Sequence, residues 1–210
     1  MDKITSIIII EDHPIVRNGL SVFLSATGRW KIMGTAASIA EARELLTAVQ
    51  ADIVLLDIQL EDGWGLDIIP WLVTQSERVL AETQKTCSLP LFAVYSAFDD
   101  YAHVRAALSM GVKAYVTKRR GEQELEDALL QALDGTPYID AAAQQNLQTI
   151  TDLCSLLTKR ETEILNLVKH GLSNKEISSQ LGISRRTVEN ILSCVYDKTG
   201  ICSRLELERL

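Results

Sequence analysis

Four kinds of side chain in this sequence stand where they could handle a phosphoryl group together. Glu11 and Asp12 follow the aliphatic run Ile7–Ile10, Asp57 follows Ile53–Leu56, Ser96 follows Leu89–Tyr95, and Lys118 comes two residues after Ala114–Val116. If these runs lie side by side as parallel strands, the side chains meet at one edge. Three unpaired carboxylates within a few ångströms raise one another's pKa or demand a cation. Hard oxygen ligands with room for several waters suit Mg²⁺. Lys118 adds a fixed positive charge and Ser96 a hydroxyl donor. A carboxylate nucleophile, a metal, an ammonium and a hydroxyl make a phosphoryl-accepting site, because the protein need only position the group and neutralise its charge.

The surrounding sequence supplies such strands. Apolar, β-rich runs at Ile4–Ile10, Trp30–Met33, Asp52–Leu56, Leu89–Tyr95 and Ala114–Val116 alternate with helical spacing at 14–26, 38–49, 65–84, 99–110 and 121–133. This predicts a doubly wound α/β domain, a five-stranded parallel sheet covered on both faces. Ligands in such sheets bind at the carboxyl ends of the strands, where strand order reverses. Ser38-Ile39-Ala40-Glu41 predicts a capping box, with Ser38 taking the Glu41 amide and Glu41 reaching back.

After Asp134-Gly135-Thr136-Pro137 the strand signal stops. Residues 134–155, rich in Ala, Gln and Asn, read as a partly helical linker. Residues 156–210 predict a small all-α domain. Thr158 to Glu161 and Ser173 to Glu176 are capping boxes, Gly171 suits the end of the first helix, and Gly182 breaks the second. Ser184 can cap a third helix, and Leu205–Leu210 offers a short fourth. Val188, Leu192 and Val195 share one face, suited to packing on Ile177 and Leu181, while Arg185, Arg186, Glu189, Asn190 and Ser193 share the other.

On these residues the chain resembles a known family. Glu11-Asp12-His13-Pro14, Asp57, Ser96-Ala97 and Thr117-Lys118 fall at successive strand ends, with Gly65 eight residues after Asp57 and Tyr115 three before Lys118. Residues 1–133 thereby resemble the flavodoxin-like receiver domain of two-component response regulators. The resemblance implies that Asp57 accepts a phosphoryl group from a sensor histidine kinase or phosphotransfer protein. It implies that Glu11, Asp12, Asp57 and the Gln59 backbone carbonyl hold Mg²⁺, that Lys118 pairs with the phosphoryl group, and that Ser96 and Tyr115 form the switch. His13 is implied to sit beside the acids without ligating, in keeping with the preference of Mg²⁺ for oxygen. Two features depart from the family. Leu60-Glu61 stands where Met-Pro is usual, and the 39 residues from Asp57 to Ser96 are roughly ten more than usual, in a unit that needs about 30. The surplus at Gln75–Ser88 predicts a longer third helix or an extended loop after it.

Residues 157–201 resemble the LuxR/NarL-type helix-turn-helix, through Leu157-Thr-Lys-Arg-Glu, Gly171-Leu-Ser-Asn-Lys-Glu-Ile177, Leu181-Gly-Ile-Ser-Arg-Arg-Thr-Val-Glu-Asn190 and Lys198-Thr-Gly200. Promoter DNA is the implied partner, with the outward helix face in a major groove. Lys175, Ser184 and Thr187 suit phosphate, and Arg185 or Arg186 suits phosphate or guanine. Asn190 could pair with adenine and Glu189 accept from cytosine, with Ser193 on the same face. Ile191 departs from the family's frequent His and extends the apolar face.

The net charge of −7 and pI near 5.0 weigh against a polyanionic partner only if the charge is evenly spread. Residues 1–149 carry 12 Lys and Arg against 20 Asp and Glu, whereas residues 150–210 carry 9 against 8. The acidity belongs to the receiver-like part. A nearly neutral DNA-binding part has few cations to spare, which favours a homodimer on two half-sites, switched by phosphorylation. Hydrophobic residues at 47% and charged at 23% exclude a disordered or fibrous chain. The longest aliphatic run, Ile7–Ile10, is far short of the ~20 residues that cross a bilayer. Neither it nor the amino terminus reads as a signal peptide, so no membrane association and a cytoplasmic location are expected. The four cysteines form no CxxC pair, which supports neither zinc nor a disulfide framework. Two alternatives stand beside a non-enzymatic transcriptional regulator. One keeps the receiver and replaces DNA by a protein partner. The other is a Mg²⁺-dependent aspartyl-phosphate phosphohydrolase, opposed by a first strand ending Glu11-Asp12 instead of Asp-x-Asp and by the lack of a substrate cap.

Overall fold

A computed structural model describes residues 4–83, 88–199, 203, 204 and 207. The chain divides into two units, Met1–Gln144 and Gln145–Leu210. In the first, β1 (Thr5–Ile10), α1 (Pro14–Ala26), β2 (Trp30–Ala36), α2 (Ile39–Ala48) and β3 (Ile53–Leu56) lead to a small hairpin, β4 (Gln59–Leu60) and β5 (Gly63–Trp64). A 3-10 turn at Gly65–Asp67 opens α3 (Ile68–Thr83), followed by β6 (Leu91–Ser96), α4 (Tyr101–Ser109), β7 (Ala114–Thr117), α5 (Glu122–Leu133), β8 (Tyr138–Ile139) and α6 (Ala141–Ser155).

Among the described residues the main sheet has six strands in the order β2-β1-β3-β6-β7-β8, all parallel. This corrects the five strands expected. The sixth, Tyr138–Ile139, and helix α6 occupy the stretch read as a linker. Two residues are too short to display the alternation by which a strand is recognised. β1 and β3 are neighbours, in register from Ile7↔Ile53 to Ile10↔Leu56. Because helices cover both faces, these strands are apolar throughout, and Ile7 to Ile10 and Ile53 to Leu56 are all at most 1% exposed. Each such side chain contributes about 1.5–3 kcal/mol of transfer free energy, so the register that brings the strand ends together is strongly fixed.

Of the surplus expected at Gln75–Ser88, the part up to Thr83 belongs to α3, which runs 16 residues, and residues 84–87 lie outside the described residues. At α2, Ser38 accepts from Glu41 N at 3.1 Å as expected, while the Glu41 carboxylate reaches back to Ala37 N at 2.8 Å, not to Ser38 N. The slot at the helix start is filled by Asp62, from the β4–β5 turn, which accepts from Ile39 N at 2.8 Å and Ala40 N at 3.1 Å. The hairpin is thus tied to α2 in the loop where Leu60-Glu61 departs from the family pattern.

The second unit packs α7 (Lys159–Lys169), α8 (Asn174–Leu181) and α9 (Arg185–Thr199) around Ile164, Leu165, Val168, Ile177, Val188, Leu192 and Val195. Both expected capping boxes form, at Thr158/Glu161 and Ser173/Glu176. Gly171 and Gly182, with φ of +76° and +64°, take the left-handed turns that end α7 and α8. The helix expected at Leu205–Leu210 falls outside the described residues except for Leu207, which joins the core. No described helix is long and apolar enough to cross a membrane. Cys194 is a free, exposed thiol; Cys87 and Cys202 lie outside the described residues.

Glu161 ties this unit together. Its carboxylate accepts from Lys198 Nζ at 2.8 Å and Thr158 N at 2.6 Å, and these bonds hold it at about 2, well below the ordinary 4.5. A carboxyl lowered on folding stabilises the fold above its unfolded value, and that contribution is lost as pH falls through the folded one. Acidification from pH 5 to pH 2 should therefore loosen α7–α9 progressively, as read from amide NMR signals during thermal melting. Glu161→Gln should lower the melting temperature at neutral pH and flatten the acid dependence.

Candidate phosphoacceptor site and nucleic-acid interface

The carboxyl ends of β1, β3, β6 and β7 place the expected side chains together. Asp57, 5% exposed, is fixed through its backbone N–H to Ile10 O at 2.9 Å. Its Oδ1 accepts from Ser96 Oγ at 2.7 Å and from Ile58 N at 2.6 Å, and its Oδ2 from Lys118 Nζ at 2.6 Å. Lys118 also reaches Glu11 Oε2 at 2.6 Å. Glu11 is 1% exposed, and its Oε1 accepts from His13 N at 3.1 Å. Burial raises the Glu11 carboxyl above its ordinary 4.5 despite the neighbouring ammonium. Burial opposes the charge on Lys118 as well, but hydrogen bonds to Asp57 and Glu11 outweigh it and raise the ammonium above 10.5. One lysine thus balances two buried carboxylates.

Asp12 lies at the more open side. Ligand atoms of Glu11, Asp12 and His13 lie within 4.8 Å of one another, and Asp12, Asp57, Gln59 and Lys118 line one cleft. His13 Nδ1 sits 2.7 Å from Asp12 Oδ1, and that hydrogen bond raises the imidazole above 6.5. The donors are chiefly carboxylate oxygens open to solvent on one side, a set that fits a hard divalent cation.

Gly65 lets this loop close. Its N–H donates to Ile58 O at 2.6 Å, and a Cβ at this position would overlap the Asp57 carbonyl oxygen. Tyr115 is fully buried, with its hydroxyl donating to Phe98 O at 2.9 Å, while Ser96 faces Asp57. Ser96 and Tyr115 are thus both buried, Ser96 against Asp57 and Tyr115 beneath Phe98. Phe98 stacks on His103 with ring centroids 4.2 Å apart, and His103 Nδ1 lies 2.6 Å from Asp100, the N-cap of α4.

Arg17, which belongs to none of the sequence motifs, donates through Nη1 to the Glu11 and Asp12 carbonyls at 2.6 and 3.1 Å and pins the acidic loop. Its place on α1, one turn past Pro14, carries no sequence signal by itself. Asp62 and Phe98 carry none either, because their contacts join distant segments.

On the second unit, Ser184, Arg185, Arg186, Thr187, Glu189, Asn190 and Ser193 are all exposed along one face of α9, and Lys175 is exposed on α8. Ser184 caps α9, accepting from Thr187 N at 3.0 Å, and its hydroxyl meets that of Thr187 at 2.8 Å. Arg185 Nε donates to Glu189 Oε1 at 3.0 Å, an i, i+4 pair on the exposed side of the helix. Ser173, Asn174, Lys175, Arg185 and Arg204 line one shallow cleft, where Arg204 bonds Asn174 and the Leu172 carbonyl. Arg204 was not anticipated. Ile191 is half-buried against the unit's own core.

Comparison with known proteins agrees with both units. Residues 7–130 match the response regulator receiver domain, and residues 155–210 match the bacterial regulatory proteins of the luxR family. The chain is 28% identical to the oxygen regulatory protein NreC of Staphylococcus aureus over 215 residues, covering 96% of this chain and 94% of NreC. Among solved structures, two RcsB dimers bound to two parallel DNAs give a TM-score of 0.69 at 20% identity, over 98% of this chain and 97% of that one. RcsB of Salmonella enterica serovar Typhimurium, bound to the rprA promoter with the phosphomimetic BeF3⁻, gives 0.68 at 20% identity, over 97% and 96%. With a receiver pocket in the first unit and a luxR-type helical domain in the second, the chain belongs to the two-component response regulators, a family of transcription regulators and not of enzymes.

Proposed function

We propose that Asp57 is the phosphoacceptor of a DNA-binding switch. The observation that carries this is the Asp57 carboxylate itself, buried yet opening on the cleft of Asp12 and gripped by Lys118 and Ser96. A histidine kinase or phosphotransfer protein would supply phosphohistidine. A carboxylate oxygen of Asp57 forms the new P–O bond as the donor's P–N bond breaks, and the released imidazole takes up a proton. Lys118 then pairs with the phosphoryl oxygens, and Ser96 donates to them from its present position beside Asp57. Glu11, Asp12, Asp57 and the Gln59 carbonyl would hold Mg²⁺, which when bound offsets the negative charge gathering in the pocket. Tyr115, packed inward, reports the occupied state to the α4 side through Phe98.

The exposed face of α9 is the DNA-reading surface. Glu189 steadies Arg185 so that its free nitrogens can address guanine or phosphate, Lys175, Arg186, Ser184 and Thr187 suit the backbone, and Asn190 and Ser193 face base edges. The luxR-family match and the RcsB likenesses, dimers on DNA and a promoter complex, support promoter DNA as the partner and a homodimer as the bound form; the reading places the regulator in the cytoplasm.

The test compares wild type with Asp57→Asn, supplied with acetyl phosphate and Mg²⁺. Wild type should gain a phosphoryl group on Asp57, located by mass spectrometry, and bind promoter fragments more tightly, with affinity falling steeply as salt rises. Asp57→Asn should take up none and stay at the basal affinity. Equal DNA binding by the two proteins under these conditions would sink the reading.

A further inference from the structure

Asp140 stands between β8 and α6 and is fully buried. Its backbone N–H donates to Tyr115 O at 2.9 Å, continuing the ladder that pairs Ala114 with Tyr138 and Tyr115 with Ile139. The side chain carries that ladder one step further than the two-residue strand can. Oδ2 accepts from Thr117 N at 2.6 Å, while Oδ1 accepts from Ala142 N at 2.9 Å and Ala143 N at 3.0 Å. The same planar group therefore closes the end of β7 and caps the first turn of α6. Thr117 directly precedes Lys118, whose ammonium holds Asp57 and Glu11. On its other side α6 begins in the first unit and runs on, from Gln145, into the second.

A buried carboxylate so placed is more than a helix cap. Serine caps helices about as well, without bringing a charge into the interior. What aspartate adds is a second acceptor, so that β7 and α6 cannot shift independently without breaking a charged hydrogen bond.

We propose that Asp140 is a positioning residue that transmits the state of the Asp57 pocket to helix α6. When Lys118 turns from a carboxylate to a phosphoryl dianion, the end of β7 shifts with it, and Asp140 passes that shift to the first turn of α6. The proposal rests on Asp57 being the phosphoacceptor, and its test is read without DNA.

Full-length wild type, Asp140→Ser and Asp140→Asn are compared with and without acetyl phosphate and Mg²⁺. Phosphoryl uptake is read from intact mass, and amide hydrogen exchange from peptides covering Asp57, Ser96 and residues 141–148. Serine keeps the cap for α6 but is too short to reach Thr117 as well. Asparagine keeps the shape but turns a donor toward one of its two sides. In wild type, phosphorylation should change exchange at 141–148 by about threefold. In both variants, phosphorylated to the same extent, the response around Asp57 and Ser96 should persist while that at 141–148 is lost. A purely structural cap would alter 141–148 equally in both states and leave the ratio intact. A preserved ratio in the variants, or a wild type that responds at Asp57 and not at 141–148, overturns the proposal. Failure of wild type to take up phosphoryl at all would instead overturn the phosphoacceptor reading, and the proposal with it.

Discussion

Lys118→Met should cut phosphoryl uptake on Asp57 by about two orders of magnitude or more, the usual loss when a positioned donor to developing negative charge is removed. It should also invert the protein's preference for pH. Lys118 Nζ lies 2.6 Å from both Glu11 and Asp57, whose side chains are only 2% and 6% exposed. Methionine fills much of the space but leaves two buried carboxylates facing each other. Removing one partner of a buried ionic cluster costs about 3–5 kcal/mol. The Glu11 carboxyl, already raised by burial, climbs further once the ammonium is gone. An acid raised on folding weakens the fold as pH climbs from its unfolded value, 4.5, toward its folded one. The variant should thus be near wild type in stability at acid pH and clearly weaker at pH 8. The wild-type lysine works in the opposite sense: its contribution is present below 10.5 and fades only as pH passes its raised folded value. Chemical denaturation at the two pH values, alongside phosphoryl uptake from acetyl phosphate, checks both halves. A variant as stable as wild type at pH 8 would refute the charge balance described here.

Gly65→Ala should be nearly as damaging, though it touches no charge. The methyl group would fall on the Asp57 carbonyl oxygen and crowd its carbonyl carbon at 3.2 Å. Neither atom can yield cheaply, because Asp57 N is bonded to Ile10 O in the sheet and Ile58 O receives Gly65 N. The loop must open, at about 2–3 kcal/mol or more for an over-packed site. Since Asp57 is the residue displaced, uptake should fall as well; a shift near 1 Å in a reacting group costs about a hundredfold. Gly19→Ala is the contrast. A Cβ there meets nothing within 4 Å and sits on α1, so it should be neutral or stabilise by up to about 1 kcal/mol. Equal loss in both variants would show that the effect is not the close approach at Asp57.

The pocket was legible because its residues sit where period changes. Ile7–Ile10 and Ile53–Leu56 are unbroken apolar runs, a pattern that marks strands buried on both faces, and the polar residue that ends each run is necessarily at a strand end. Adjacent β1 and β3 then bring Glu11, Asp12 and Asp57 to one edge. The helical domain was legible from its caps, since Thr158/Glu161 and Ser173/Glu176 act within one turn. What escaped was contact between residues far apart in sequence. Asp62 serves α2, 23 residues back, and Asp140 serves Thr117, also 23 back. No local pattern distinguishes either from an ordinary loop acid. Strand β8 escaped for a different reason: its pairing with β7 comes from the sheet beside it, not from any preference of Tyr138-Ile139.

That small strand also fixes where the receiver can be cut from the rest of the chain. A fragment ending with α5 at Leu133 would strip β7 of its outer neighbour, exposing an unpaired edge beside Tyr115 and an orphaned amide at Thr117. Bare edges of this kind recruit strands from other molecules and seed aggregation. A piece carried through Ala143 keeps both β8 and the Asp140 carboxylate with its partners. The compact unit that holds the pocket is therefore longer than its five strand-and-helix repeats, and it closes on the first turn of the helix that leads out of it.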